Sequence, residues 1–426
     1  MTTIYIETAG CSQNFADSEQ MAGLLKQAQF EIVTELEPAD IVIFNTCTVK
    51  GPTETAFFKR LEEVQQQYPY KMIIIAGCIA QTEAAKLKKL PLVGTKQIHH
   101  IVEVVEEILN NNPIRLLETK ELPPLNSPRV RKNPIVSIIP ISRGCLGACS
   151  FCKTKAARGN LVSYPIAEIV QEAQTAVKEG AKELWLTSQD TGCYGFDLNT
   201  NLPNLLQELV KIEGDFKIRI GMMNPDHLLK IRKEFWAVFG NEKIFQFLHL
   251  PIQSGDNHVL KTMQRNYTVE EFKDLVTELR VNFPQASLTT DVIVGFPGET
   301  EEQFWETQTM IRKITPDAVN ISRFWPRSKT PAAELEQLSG EVLKHRSKVI
   351  TDICQNIFKM QNENWLGWEG NVIVEEKGKL ERQWTARSFA YKPIIVTGDF
   401  KLGQELKVRL LRAGIFELQA EVITTK

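Results

Sequence analysis

Long apolar runs are missing from this chain. A membrane-spanning helix needs about 20 consecutive apolar residues, and the longest stretch here, MIIIAGCIA at residues 72–80, has the length of a buried strand. An excess of one charge is missing too. Lys and Arg number 50 against 52 Asp and Glu, for a net charge of −2. The molecule as a whole is therefore not a basic nucleic-acid binder, and any RNA site must be a local patch. Histidine is scarce, with six residues in no ligand-like grouping. Cysteine is sparse as well, eight in 426 residues, and nothing at the start resembles a signal peptide. This argues against a secreted disulfide scaffold and fits a reducing cytoplasm. No whole-unit repeat or low-complexity tract is visible. What is present is an ordinary globular composition, 43% hydrophobic and 24% charged. The length suggests about three domains at roughly 150 residues each.

Residues 1–112 alternate strands and helices. Strands are predicted at Thr3–Thr8, Ile41–Asn45 and Met72–Ala76, and helices at Ala16–Gln29, Ala56–Tyr68, Thr82–Lys89 and Ile101–Asn110. That order means a parallel, Rossmann- or flavodoxin-like sheet with crossover helices. Prolines at 113, 123, 124, 128 and 134 mark residues 113–134 as an extended linker. Its basic cluster, Arg129, Arg131 and Lys132, is a weak candidate for a phosphate contact; a plain spacer is the favoured reading. In 135–365, strands are predicted at 135–142, 183–188, 216–222, 244–250, 288–294 and 317–323, with a closing helix over Gly340–Trp365. Six such strands suggest a partial (β/α)6 barrel, whose functional residues belong at the carboxyl ends of the strands. Residues 366–426 break into short β-type runs and carry ten Lys and Arg against eight Asp and Glu. They predict a small all-β barrel. Trp384, Phe389 and Tyr391 make it either a platform for single-stranded RNA or a structural cap.

The most informative segment is RGCLGACSFCKTKAARG, with Cys145, Cys149 and Cys152 in C-x₃-C-x₂-C spacing. Four thiolates close a zinc site or fill an iron–sulfur cubane. Three on one loop leave one iron of a [4Fe–4S] cluster open to a substrate or cofactor. Enzymes that bind S-adenosylmethionine to an iron and cleave it to a radical carry such a loop. A buried helical stripe is argued against by Gly144 and Gly147, and a zinc site lacks a fourth ligand on the loop. Cys11, Cys47 and Cys78 each follow a predicted strand, at spacings of 36 and 31 residues, or about one βα unit each. Carboxyl ends of parallel strands share one edge, so these three thiols converge there. They predict a second cluster with an open iron. Cys193 and Cys354 join neither set and read as small buried residues.

GCSQN, NTC, AGC, CLGACSFC, HLPIQSGDNHVLKTMQRNYT and DVIVGFPGET together resemble the radical-SAM methylthiotransferases over essentially the whole chain. CKTKAARG, LTSQDTGCYG and NTNLPNLL look most like the archaeal and eukaryotic branch, which acts on N6-threonylcarbamoyladenosine at tRNA position 37. The resemblance implies three units: a methylthiotransferase domain, a radical-SAM core and a TRAM (OB-like) barrel. It implies two [4Fe–4S] clusters, on Cys11/Cys47/Cys78 and on Cys145/Cys149/Cys152, and two molecules of S-adenosylmethionine. One methylates a cluster-bound sulfur; the other yields the radical that activates carbon 2 of the adenine. The implied partners are the tRNA anticodon loop and an electron donor such as flavodoxin or ferredoxin, in the cytoplasm and with no membrane. Cofactor contacts are expected from Arg158, Ser188, Gln189, Asp190, Gln253, Ser254, Arg265 and Gly295. Other targets within the resemblance are isopentenyl-adenosine tRNA and a ribosomal protein; a non-catalytic iron–sulfur RNA binder is the reading from another class.

Overall fold

The computed structural model describes residues 1–48, 51–117 and 121–425. Its first unit runs β1 (Thr3–Thr8), α1 (Ser12–Gln27), β2 (Glu31–Val33), β3 (Ile41–Thr46), α2 (Gly51–Gln67), β4 (Met72–Gly77), α3 (Cys78–Thr82), β5 (Leu92–Val93), α4 (Ile101–Leu109) and β6 (Arg115–Leu116). The strands form one parallel sheet in the order β2-β1-β3-β4-β5-β6. Alternation along the central strands explains their unbroken apolar runs. Ile41, Ile43, Ile74 and Ala76 pack into the core on one face, and Val42, Phe44, Ile73 and Ile75 into the core on the other. The strand order reverses between β1 and β3, which is where doubly wound sheets open a crevice for ligands.

Two expectations fail here. Residues 83–90 form successive turns rather than the helix expected over Thr82–Lys89. Lys86, Leu87 and Leu90 each bond the carbonyl three residues back, as the chain tightens toward Pro91 and β5. The segment 113–134 is also not a free spacer. β6 lies within it and completes the sheet, residues 118–120 fall outside the described residues, and 121–134 binds along α1. There Gln20 donates to the Pro124 carbonyl, and Val130 and Lys132 donate their backbone N–H groups to Glu19. The basic cluster is engaged inside the protein. Arg129 pairs with Glu172 at 2.8 Å with both side chains buried, Arg131 pairs with Glu179, and Lys132 Nζ lies over the Phe15 ring.

The second unit contains β7 (Val136–Pro140), β8 (Ser142–Arg143), α5 (Thr154–Arg158), β9 (Val162–Ser163), α6 (Ile166–Lys178), β10 (Glu183–Thr187), α7 (Leu202–Leu209), β11 (Lys217–Ile220), α8 (Pro225–Phe239), β12 (Phe247–His249), α9 (Asn257–Thr262), α10 (Val269–Asn282), β13 (Ser287–Val294), α11 (Glu301–Ile314), β14 (Ala318–Arg323) and α12 (Gly340–Glu363). Parallel trios β11-β10-β7 and β12-β13-β14 are joined by a bridge between Ile218 and Ile244, giving the six-stranded partial barrel. Leu184, Leu186, Ile218, Ile220, Leu248 and Leu288 pack outward into the helix-facing core. Their alternates, among them Trp185, Arg219, Phe247 and Thr289, face the lumen.

A closed five-stranded barrel follows, β15 (Glu369–Lys377), β16 (Gln383–Arg387), β17 (Pro393–Thr397), β18 (Glu405–Ala413) and β19 (Leu418–Thr425), ordered β15-β16-β17-β19-β18. Its aromatics are not a free RNA platform. Trp384 Nε1 donates to the Gly398 carbonyl at 3.1 Å, and Phe389 packs between Trp365 and Trp368. Tyr391 contacts Phe245, Phe247 and Trp185 and donates its hydroxyl to Glu375. Phe389 and Tyr391 thus sit at the seam where the small barrel meets the rest of the protein.

Candidate functional site

Cys11, Cys47 and Cys78 each lie just past a strand end, after the neighbouring strands β1, β3 and β4. Gly10, at φ 138°, lets two of these loops touch, since a Cβ placed there would stand 2.7 Å from Cys47 Cβ. Cys47 and Cys78 are buried and Cys11 is exposed, so the group is walled on one side and open on the other. Burial pushes the Cys78 thiol up, against the pull of Arg158 and with the charge of Cys11 adding to the rise. A thiolate here therefore needs a cation, and a metal centre supplies one. None of the eight cysteines is in a disulfide.

The second set sits on the irregular loop between β8 and α5, as the glycines predicted. Gly147 donates its N–H to Cys145 Sγ at 3.2 Å. A Cβ on Gly147 would lie 3.4 Å from Cys145 Sγ and 3.7 Å from Cys149 Sγ, so the absent side chain leaves the sulfurs room. Burial pushes the Cys145 thiol up to about 12, helped by the charges of Asp190, Cys149 and Cys152. Arg265 donates to Cys149 Sγ at 3.2 Å, to the Tyr267 hydroxyl at 3.1 Å and to Asn224 Oδ1. Three soft donors on one loop, near enough for their charges to act on one another, fit a cluster with an open iron.

The two sets share a junction built from buried charge. Asp17 on α1 accepts from Arg143 at 2.7 Å and from Arg158 at 3.1 Å. Burial opposes ionisation of Asp17, but the two guanidinium groups win and hold its carboxyl below the ordinary range. Arg158 also donates to Asn14 Oδ1 and hydrogen-bonds Cys78. Its place is thus beside the early-strand thiols, although it ends the helix that follows Cys152. Lys153 reaches Glu83 and Glu54, and Arg327 reaches Glu54 at 2.7 Å and the Thr48 carbonyl. Ser12, next to Cys11, meets Thr187 at the end of β10 at 2.7 Å.

The remaining expected residues divide into two groups. Gln189 accepts from the Gly144 N–H at 2.6 Å and so holds the root of the cysteine loop. Ser188 accepts from the Asp190 N–H, and Asp190 accepts from Gly192 N, Asn224 N and His227 Nδ1. The Asp190 carboxylate therefore fixes Asn224, the residue Arg265 grips. Gln253 has a left-handed φ of 71°, held by its N–H on the Asp291 carbonyl and its own carbonyl under Ile293 N. Away from the thiols, Ser254 accepts from Asp256 N and meets Thr307. At Gly295 the space for a side chain is filled by Leu343 of α12, at 2.5 Å, which is a packing reason for glycine.

Sequence reading missed Asp17, Asn14, Arg143, Lys153, Glu54 and Arg327. A signal existed for Arg143, a charge closing the apolar run IVSIIPIS, but its partner is 126 residues away. Cys193 is buried with its thiol on the Asp190 carbonyl, and Cys354 packs in the barrel core.

Residues 3–95 match uncharacterized protein family UPF0004, and residues 139–311 match the Radical SAM superfamily. Among solved structures, the chain is similar to the radical S-adenosylmethionine methyltransferase TsrM from Kitasatospora setae. The TM-score is 0.57 at 14% identity, over 78% of this chain and 75% of that one. That likeness carries the fold. A probable threonylcarbamoyladenosine tRNA methylthiotransferase of Pyrococcus abyssi is 41% identical over 95% of this chain and 96% of its own length. A threonylcarbamoyladenosine tRNA methylthiotransferase of Homo sapiens is 39% identical over 96% of this chain and 72% of its own length. With cysteine-bearing edges facing one junction and such identity from end to end, the chain belongs to the radical-SAM threonylcarbamoyladenosine tRNA methylthiotransferase family.

Proposed function

We propose that this protein methylthiolates carbon 2 of N6-threonylcarbamoyladenosine at position 37 of tRNA, using two [4Fe–4S] clusters and two molecules of S-adenosylmethionine. The observation that carries the reading is Arg158, which follows the Cys145, Cys149 and Cys152 loop yet lies against Cys78 and pairs with Asp17, in a chain that covers 96% of its Pyrococcus relative. Cys145, Cys149 and Cys152 would hold one cluster, which would supply the electron for cleavage of S-adenosylmethionine, and Cys11, Cys47 and Cys78 would hold another, which would seat the sulfur to be transferred. Carbon 2 of adenine offers no acidic proton, so proton transfer alone has little purchase on it. The protein's part is to hold and shield. Arg265 orients Cys149 against Asn224, Asp190 fixes Asn224, and Arg158 sets a permanent positive charge against Cys78.

The units are taken as 1–112, 135–365 and 366–426, with the docked segment 113–134 between the first two. The tRNA anticodon loop is the substrate end, and a small redox protein such as flavodoxin or ferredoxin, in the cytoplasm, is the reductant. Among the described residues no helix is long and apolar enough to cross a membrane. Nucleoside analysis of tRNA from a strain lacking the gene tests the reading. Loss of the methylthio form of threonylcarbamoyladenosine is expected; an unchanged pool overturns it.

A further inference from the structure

Where the partial barrel meets α12 and the small carboxyl-terminal barrel lies a cavity of about 340 Å³. Its lining includes Arg219, His249, Ser287, Thr289 and Asn320 from the barrel and Tyr391 from the small carboxyl-terminal barrel. Arg219 is caged by aromatic faces. Its guanidinium carbon lies 5.0 Å from the Trp185 ring centre, 5.1 Å from Phe247 and 5.0 Å from Tyr391. Such faces hold a cation without neutralising it.

Arg219 has no carboxylate in ion-pair range among the described residues, and its Nε is buried with no hydrogen-bond partner. The neighbouring cations have partners: Arg387 pairs with Glu375, and Lys392 pairs with Asp317 and Asn362. The nearby Glu183 accepts from the Trp185 indole and feels the charge of Arg219 without pairing with it, and burial pushes its carboxyl up to about 8. A second polar atom without a partner, Ser287 Oγ, belongs to a residue lining the same cavity. Native interiors rarely leave such groups unmet, and a guanidinium fork is shaped for a carboxylate.

The register gives the depth. Trp185 pairs with Arg219, and Thr187, two residues further along β10, touches Ser12 beside Cys11. Two strand residues span about 7 Å. Arg219 therefore lies one side-chain layer beneath the thiol junction, on the lumen face. In adenine only N1 separates carbon 2 from the carbon that bears N6. A ring held with carbon 2 at the junction therefore sends its N6 substituent out from the next-but-one ring position, and a chain the length of a threonylcarbamoyl group extends from there along the lumen. In threonylcarbamoyladenosine that substituent ends in a carboxylate and a hydroxyl. The isopentenyl substituent offers neither.

We infer that Arg219, in its cage of Trp185, Phe247 and Tyr391, binds the threonyl carboxylate of the substrate nucleoside and so selects threonylcarbamoyladenosine over adenosines with an uncharged N6 group. Arg219 is a specificity residue that touches substrate, and the carboxyl-terminal barrel contributes a wall of its pocket through Tyr391. The inference rests on the nucleoside assignment proposed above.

The test uses the full, reconstituted protein and two anticodon stem-loops, one bearing threonylcarbamoyladenosine and one bearing its methyl ester. Wild type should show a KM about 10- to 100-fold higher for the ester, the range of one lost charged hydrogen-bond pair. Arg219→Met should raise KM for the acid to the ester's level and lose the discrimination, and Arg219→Lys should restore part of it. Iron content and melting temperature report whether the variants fold. If Arg219→Met does not fold, the ester comparison on wild type decides alone. Equal KM for acid and ester in wild type, or wild-type discrimination in Arg219→Met, overturns the carboxylate assignment only. Modification of neither RNA by wild type overturns the functional reading and this inference with it.

Discussion

The two thiol triads reach the same kind of geometry by opposite routes. Cys145, Cys149 and Cys152 lie within eight residues on one loop, and local chain geometry suffices to bring them together. Cys11, Cys47 and Cys78 are spread over 68 residues, and only the pairing of β1, β3 and β4 assembles them. The loop triad has a neighbouring arginine from its own unit, Arg265, whereas the early-strand triad borrows Arg158 from the next. The difference is one of dependence: the loop can be built locally, but the scattered set needs both the sheet and the docking of a second unit.

The largest effect that would sharpen this contrast is expected from Cys145→Ala. Under anaerobic conditions with dithionite and S-adenosylmethionine, formation of 5′-deoxyadenosine should fall to background. Iron should drop from about eight to about four per chain, because each cubane holds four. Normal deoxyadenosine formation in that variant would break the assignment of the loop. Cys47→Ala is the mirror experiment. It should lose methylthiolated tRNA and about four irons, yet keep the cleavage of S-adenosylmethionine. Loss of both activities together would mean that the two triads are not separable.

Asp17→Asn addresses the junction. It leaves Arg143 and Arg158 buried with no countercharge from α1, and removing one partner of a buried ion pair costs about 3–5 kcal/mol. Denaturant unfolding should report a loss of that size, and the iron on the early-strand thiols should fall with it. A loss below about 1 kcal/mol, typical of surface pairs, would show that the junction is solvated.

An effect that grows toward alkaline pH concerns the opposite seam, where the small barrel docks. Burial, with Glu375 adding to it, pushes the Glu183 carboxyl up to about 8. The folded protein keeps this proton to about pH 8, while the unfolded chain releases it near 4.5. Stability from this group is full below the lower value and declines as pH rises toward the upper. Glu183→Gln removes the decline. It should melt higher than wild type at pH 8, and the gap should close by pH 5; an equal gap at both would exclude titration as the cause.

Much of the architecture was legible because periodicity survives in single elements. Strands expected at 288–294 and 317–323 lie within a residue of β13 (Ser287–Val294) and β14 (Ala318–Arg323), and the loop glycines marked the cysteine turn. Short or polar elements escaped: β5 and β6 have two residues each, and β16 reads QWTAR, with little to distinguish it from a turn. The Thr82–Lys89 helix failed because a following proline and β5 end the winding early. At the site, the cysteines stood out by type and position. Asp17 and Arg143 did not, and Arg158 was expected at the cofactor rather than against Asp17, because the meaning of a buried charge lies in a partner more than 100 residues away. The aromatics of the last barrel show the converse. Composition left an RNA platform and a structural cap both open, and Phe389 and Tyr391 are covered by Trp365 and by the barrel rings.

One short element leads from the cysteine loop to the early-strand thiols. α5 begins two residues after Cys152 and ends at Arg158, which reaches Cys78. Five helical residues rise roughly 8 Å and advance about 100° each. This single turn and a half is a gauge rod between the two thiol sets. Adding or removing one alanine in it would swing the guanidinium about 100° off its thiol. The spacing between the cysteine loop and the early-strand thiols is thus written in the winding of TKAAR, and the chain cannot lengthen there without drawing Arg158 away from Cys78.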